Sequence, residues 1–475
     1  MSHYERLSAL DASFLEIEDQ STHMHVAGAL IFEPGPLATA EGGLDSERIR
    51  AYIESRLHLI PRYRQRLAYI PFERHPVWID DDRFNLFYHV RHSSLPRPGS
   101  ERQLKRLCGR ILSQKLDMTK PLWEIWVVEG LSEDRFALIT KVHHCMVDGI
   151  SGVDLLNVIL SATDEESFAP APPWRARPAP GAVELVAGEI WRLATGGFGL
   201  ARAAAVALAQ PGRSLAQVCE AAGGVVEMLG EMTQGSDTPL NRPLGPHRRF
   251  DWLRLDLNEV KAVKNVLGGT LNDVVLATVV GALRRFLSGS GVNPEGLDFR
   301  LLIPVSVRAA DQRGRLGNRV AQLIARAPLD EVGPRARYEK VVATTRRLKG
   351  SHQIATSELF AELSDWTATA VLSQTMRLAA ARRNFNLVVT NVPGPPLPLF
   401  LLGARMCASY PMVPLFSRQG LGIALFSYCD GLYWGISGDW DAVPELHAFV
   451  EDLSAAFEEL RETAGLATLA ARASA

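Results

Sequence analysis

His143-His144-Cys145-Met146-Val147-Asp148-Gly149-Ile150 is the stretch on which the reading of this chain turns. It closes FALITKVHH (136–144), an apolar run that reads as a buried strand, and precedes GVDLLNVIL (152–160), whose apolar spacing reads as a helix. Successive side chains of a strand point to opposite faces. His143 and His144 are therefore expected to do different jobs, one facing a cleft while the other packs or orients. Imidazole takes and returns a proton near neutrality because its ordinary pKa is about 6.5. Beside a hydroxyl it can accept that proton as the oxygen attacks an acyl carbonyl, then protonate the leaving group. No serine nucleophile is needed if the donor is an activated ester such as a thioester, and the chain has no G-x-S-x-G elbow. The competing readings of a histidine pair are a hydrogen-bonded core element and a metal site. Catalytic zinc uses three protein ligands, and H-H-x-x-x-D lacks the one-face spacing of H-E-x-x-H, so no metal is expected. Cys145 alternates with His144 and is expected to point away from the cleft.

Around this stretch the chain has the composition of a folded protein. Of 475 residues, 47% are apolar and 22% charged, enough for two or three domains and too apolar for wholesale disorder. Fifty-one basic and fifty-three acidic residues leave a net charge of −2, so a nucleic-acid partner recognised through a global basic field is not expected. Five scattered cysteines, with no C-x-x-C, argue against a disulfide framework or structural zinc and fit a reducing compartment. The start, MSHYERLSALDASF, shows no signal-peptide core. The nearest approach to a membrane span, LATGGFGLARAAAVALA (193–209), is broken by Arg202 and glycines. The expectation is a cytoplasmic protein that can touch a membrane without crossing it.

PAPPWRARPAP (170–180) holds five prolines in eleven residues and starts a linker. The domains are expected at 1–165 and 246–475, joined by a proline-rich and helical linker over 166–245. Each mixes strands and helices, which makes the fold class α/β. HVAGALIFE (25–33) and WEIWVVEGL (123–131) read as strands, and LDSERIRAYIESRLHLI (44–60) as an amphipathic helix with Asp45 or Ser46 as N-cap. In the second domain LNDVVLATVVGALRRFL (271–287) reads as a helix, and LLIPVSVR (301–308) and FNLVVTNVPG (385–394) as strands. ALFSYCDGLYWGISGD (424–439) reads as a hairpin with Asp430-Gly431 at its tip. VPELHAFVEDLSAAFEELRETAGL (443–466) closes the chain with an amphipathic helix.

Several residues carry two readings. Asp148-Gly149 is an ordinary turn or a loop that lets a ligand approach closely, since glycine adopts conformations other residues resist. Asn272 is a helix N-cap, or its amide helps hold substrate or a developing oxyanion. Asp273 suits the first turn of a helix. Trp123 is expected to pack beneath the site, and Asn391 to begin a rigid turn through Pro395. The helices at 183–235, with Trp191, Phe198, Met228 and Met232, pack on the domains or cover a trench for an acyl chain.

The central stretch resembles the H-H-x-x-x-D-G signature of the CoA-dependent acyltransferase superfamily, which includes chloramphenicol acetyltransferase and peptide-synthetase condensation domains. Along nearly its whole length the chain is similar to the bacterial wax ester synthase/diacylglycerol acyltransferase family. The matching blocks are Leu7 to Leu15 (LSALDASFL), Met24-His25-Val26, Pro121-Leu122-Trp123-Glu124, Asn272-Asp273-Val274-Val275, Pro304-Val305-Ser306-Val307-Arg308 and Asn391-Val392-Pro393-Gly394-Pro395. The resemblance implies two chloramphenicol-acetyltransferase-like domains with the active-site channel between them. It makes His144 the general base, and has Asp148 turn from the reacting atoms to support its loop, with Arg308 as partner. It implies transfer from acyl-CoA to diacylglycerol or a long-chain alcohol, with acyl-CoA as substrate and no further cofactor or metal. A peripheral place on the inner face of the membrane or on lipid droplets is expected. The alternatives are another acyl acceptor (a polyketide, sugar or amine) and a non-catalytic lipid-binding or droplet-associated protein. The oligomeric state is left open.

Overall fold

The structure, a computed structural model, describes residues 4–146, 152–192, 235–306, 320–349 and 385–466. Its strands in chain order are β1 (Glu5–Arg6), β2 (His25–Phe32), β3 (Gln65–Tyr69), β4 (Pro76–Asp80), β5 (Val90–Ser94), β6 (Trp123–Glu129), β7 (Phe136–His143), β8 (Arg248–Asp256), β9 (Arg300–Ser306), β10 (Val320–Arg326), β11 (Leu387–Pro393), β12 (Phe400–Leu401), β13 (Ala404–Met412), β14 (Leu421–Tyr428) and β15 (Gly431–Asp439). They form two six-stranded sheets, β12-β13-β2-β7-β6-β5 and β10-β9-β11-β14-β15-β8, and a small sheet β1-β4-β3. Parallel and antiparallel pairs mix in both large sheets, for β5 runs parallel to β6, and β11 parallel to β9 and β14. The fold is therefore α/β with two mixed sheets.

The burial of β7 follows from its sequence. FALITKV offers apolar side chains on both faces, and all eight residues of the strand are buried, as a central strand covered on both sides requires. Helices Ser46–Arg56, Glu101–Leu112 and Gly152–Ile159 belong to this half. In the other half Leu271–Gly289, apolar on most of its circumference, is buried along most of its length beside Leu446–Thr463. The capping of Leu271–Gly289 differs from expectation. Thr270 is the N-cap, its hydroxyl accepting from the Asp273 N–H while the Asp273 carboxylate accepts from the Thr270 N–H at 2.7 Å. Asn272 therefore lies inside the first turn. The 424–439 hairpin is displaced by one residue as well. Tyr428 pairs with Gly431, so Cys429-Asp430 is the loop, with Cys429 at φ 50°.

The sheets do not divide the chain at one point. β12 and β13 follow β11 in sequence, within the segment expected to form the second domain, yet β13 pairs with β2 and extends the first sheet. Local polarity gives no notice of this, because an apolar strand is equally suited to either sheet. The crossing strand also ties the halves together. Tyr433 donates to the Cys407 carbonyl at 2.9 Å, Tyr428 donates to the Met406 carbonyl at 3.0 Å, and Trp252 stacks on Tyr410 at 4.6 Å. A second seam joins the helix Glu101–Leu112 to β8, where Lys105 pairs with Asp251 at 2.6 Å and the Arg248 N–H donates to Ser113 Oγ at 2.8 Å. The proline-rich segment is docked on the first half: Arg177 grips Asp80 with two guanidinium bonds (2.7 and 2.9 Å) and its own N–H (3.0 Å). That grip holds the Asp80 carboxyl down at about 2.

Gly435 marks how closely the halves approach, since a Cβ there would stand 1.7 Å from the Pro411 carbonyl oxygen. Neither main chain can yield cheaply. Gly435→Ala is expected to destabilise the protein by about 1–3 kcal/mol through overpacking, read as a lower denaturation midpoint at unchanged m-value.

Candidate functional site

After His143 the main chain leaves the sheet and makes a 3₁₀ turn, His144–Met146. His143 N–H donates to the Leu122 carbonyl at 2.9 Å, and His144 N–H to the Met24 carbonyl at 2.7 Å. The change of backbone ends the strand alternation at this point. Cys145 is buried, and burial pushes its thiol well above the ordinary range. A thiol held in that state is a packing group.

The two imidazoles meet different surroundings. His143 is fully buried, its Nε2 lying 2.7 Å from Glu18 Oε2 and its Nδ1 accepting from the Cys145 N–H at 3.1 Å. A nitrogen facing a carboxylate must carry the proton, and a nitrogen facing an N–H must offer its lone pair, so this network assigns the Nε2–H tautomer. Glu18 is the C-cap residue of the helix Ala9–Ile17, and its other oxygen lies 3.1 Å from Lys115 Nζ. Burial alone would raise the Glu18 carboxyl, but the bond and charge of His143 and the ammonium of Lys115 outweigh it and lower the pKa.

His144 is only partly buried. Its ring stacks on Phe14, with centroids 3.9 Å apart and planes inclined by 28°. Nδ1 is buried and meets no partner with hydrogen-bond geometry among the described residues. Burial, then the adjacent His143, lowers the ring to about 4, against a small opposing effect of its own main-chain carbonyl. It is a neutral imidazole at physiological pH, with lone-pair capacity to accept a proton.

Further polar groups lie beneath this pair. His25 stands opposite His143 in the β2–β7 register, the rings 5.9 Å apart and edge to face. Burial first, then the charge of Lys141, lowers it well below its ordinary range. Lys141 is wholly buried, donating to the Ile111 carbonyl at 3.1 Å and the Gln114 carbonyl at 2.5 Å, and burial lowers it to about 8.

The other residues singled out in the sequence are distributed around the fold. Trp123 is fully buried at the start of β6, donates to the Tyr63 carbonyl at 2.8 Å and stacks on His89 at 4.6 Å. Asp273 is buried too, one oxygen in the Thr270 cap and the other accepting from Thr345 Oγ at 2.6 Å. Asn272 is partly buried, and Asn391 is partly buried on β11 opposite Leu425. Asp148, Gly149 and Arg308 lie outside the described residues. The contacts that sequence reading missed are Glu18, Phe14 and Lys115. Glu18 is 125 positions from His143, and no local spacing announces a pairing at that distance. Among the described residues no three His, Cys, Asp or Glu side chains group to hold a metal ion. No single described helix is long and apolar enough to cross a membrane.

Comparison with known proteins meets this geometry from another side. Residues 7–275 match the wax ester synthase/diacylglycerol acyltransferase catalytic domain, and residues 316–461 match the C-terminal domain of the same family. A probable diacylglycerol O-acyltransferase of Mycobacterium tuberculosis H37Rv is 33% identical over 446 residues, covering 92% of each chain. A second, putative one from the same strain is 33% identical over 470 residues, covering 96% of this chain and 90% of its own. The wax ester synthase/diacylglycerol acyltransferase of Marinobacter aquaeolei VT8 superposes with a TM-score of 0.70 at 26% identity, covering 97% of this chain and 100% of that one. The starter condensation domain of rhizomide synthetase shares the fold at 12% identity, with a TM-score of 0.59 over 98% of this chain and 96% of that one.

The neutral buried imidazoles make stability depend on pH. His144 and His89 are each lowered to about 4 by burial, whereas an unfolded chain protonates histidine near 6.5. Between those values the unfolded state binds more protons, so stability rises with pH from about 4 to about 6.5 and is full above it. Denaturant titrations at pH 4.5, 5.5, 6.5 and 7.5 are expected to show the midpoint climbing to pH 6.5 and then levelling.

Proposed function

The chain belongs to the wax ester synthase/diacylglycerol acyltransferase family, and from that premise we propose that it transfers the acyl group of an acyl-CoA to a lipid hydroxyl. The acceptor is diacylglycerol, giving triacylglycerol, or a long-chain alcohol, giving a wax ester; free CoA is the other product. His144 is the general base. The observation that carries the assignment is the contrast between the rings: His143 is sealed with both nitrogens engaged, while His144 is partly exposed and neutral.

His144 takes the hydroxyl proton as the oxygen attacks the thioester carbonyl. The new C–O bond forms, the C–S bond breaks, and the imidazolium returns its proton to the departing sulfur. No acyl-enzyme is required, and the chemistry asks for no metal or cofactor besides acyl-CoA as substrate. Asp148 and Gly149 shape the loop behind the base, with Arg308 as the partner of Asp148. The Asn272 amide holds substrate near the channel between the halves, while Asp273 secures that helix's start, Trp123 supports β6, and Asn391 on β11 borders the junction. Donor and acceptor reach the channel from different sides. The enzyme meets its lipids as a peripheral protein at a membrane or droplet surface; each acyl CH₂ withdrawn from water contributes about 0.8 kcal/mol to their binding.

Purified protein with palmitoyl-CoA is expected to release thiol when diacylglycerol or hexadecanol is present and not without an acceptor. Acceptor-independent release would indicate a thioesterase. His144→Ala is expected to lower kcat by about 10²–10⁴ at unchanged circular dichroism, and unchanged turnover would overturn the assignment. Because His144 is lowered to about 4, the acid limb of kcat/KM due to this ring lies well below pH 6.5.

A further inference from the structure

One helix reaches both histidines of the motif. Phe14, within Ala9–Ile17, lies against the His144 ring at 3.9 Å, and Glu18, one turn later, accepts from His143 at 2.7 Å. Residues four apart share a helix face, so a single element addresses both rings.

What it fixes follows from the hydrogen bonds. With the opposite tautomer, His143 would set an N–H against the Cys145 N–H at 3.1 Å and a lone pair against the Glu18 carboxylate at 2.7 Å. Glu18 thus selects the tautomer that receives the Cys145 N–H. The peptide preceding His144 is anchored through its N–H to the carbonyl of Met24 at 2.7 Å, a residue whose own N–H donates to Glu18 Oε2 at 3.4 Å. Both peptide planes flanking the His144 Cα are therefore held, and with them its φ and ψ. Lys115, 3.1 Å from the other Glu18 oxygen, balances the buried charge.

We propose that Glu18 is a positioning residue for acyl transfer: through the tautomer of His143 it sets the backbone of His144, while Phe14 sets the ring. The proposal rests on His144 being the base. Displacement of a base by about 1 Å can cost about 100-fold in rate, so the arrangement matters without Glu18 touching substrate.

The test uses full-length Glu18→Gln, Glu18→Ala, His144→Ala and the double variant Glu18→Ala/His144→Ala, assayed for thiol release from palmitoyl-CoA with diacylglycerol and checked by thermal unfolding. Glu18→Ala is expected to lower kcat by about 10- to 100-fold with the acyl-CoA KM within about twofold. Glu18→Gln, whose amide oxygen still accepts from His143, restores most of that loss. In the His144→Ala background Glu18→Ala adds no further loss, because the two act through one group. An unchanged kcat in Glu18→Ala, or the same fold-loss with and without His144, overturns the proposal. Turnover that survives His144→Ala removes the base assignment instead, and this proposal with it. If Glu18→Ala does not fold, ¹⁵N spectra of histidine-labelled wild type decide: His143 protonated at Nε2 supports the proposal, and protonated at Nδ1 overturns it.

Discussion

The Glu18 carboxylate and the His143 imidazole face each other at 2.7 Å in an interior where neither is accessible to water. Removing one partner leaves the other as a buried polar group short of a hydrogen bond, which costs about 1–3 kcal/mol, and more when the survivor is charged. Such a pair is therefore satisfied together or not at all, and the surrounding structure has to be arranged to suit it. β7 must end at His143, the helix Ala9–Ile17 must end against it, and Lys115 must stand on the far side of the carboxylate. The same arrangement explains why adjacent histidines differ so much. The first is engaged at both nitrogens and belongs to the scaffold. The second emerges from a turn whose main chain is already anchored, and its ring is only partly buried.

Burial has a chemical consequence at His144. A ring lowered to about 4 is neutral throughout the physiological range, so almost every molecule holds it in a proton-accepting form. It is also a weaker base than an exposed imidazole, so in the proposed reaction the difference would have to come from placement of the hydroxyl and thioester. A stacked phenyl ring and two anchored peptide planes fix the position of the ring itself.

The crossing of β13 serves the same end on a larger scale. A site between the halves, as proposed here, would be only as well defined as their relative position. In this chain that position is held by a strand of one half hydrogen-bonded into the sheet of the other, with Tyr428 and Tyr433 fastened to its carbonyls. The contact of Gly435 with Pro411 leaves no room for a side chain between them.

Much of this was legible in the amino-acid sequence. Periodicity located β2, β6, β7 and β11 and the helices after Asp45 and Thr270 to within a few residues, because apolar spacing must match the repeat of whichever element buries it. The His-His and Asp-Gly stretch pointed to proton-transfer chemistry, and ordered blocks of resemblance pointed to the family. What only the tertiary structure decided is which groups meet across long separations: Glu18 with His143, Phe14 with His144, β13 with β2. Cys145 is buried, but in a 3₁₀ turn rather than through alternation along a strand, because β7 ends two residues before it. The reason is general to folded chains. Backbone repeat and side-chain polarity act between neighbours and can be read in order, whereas a buried long-range hydrogen bond or a crossing strand is fixed only when the whole chain has chosen what to bring together.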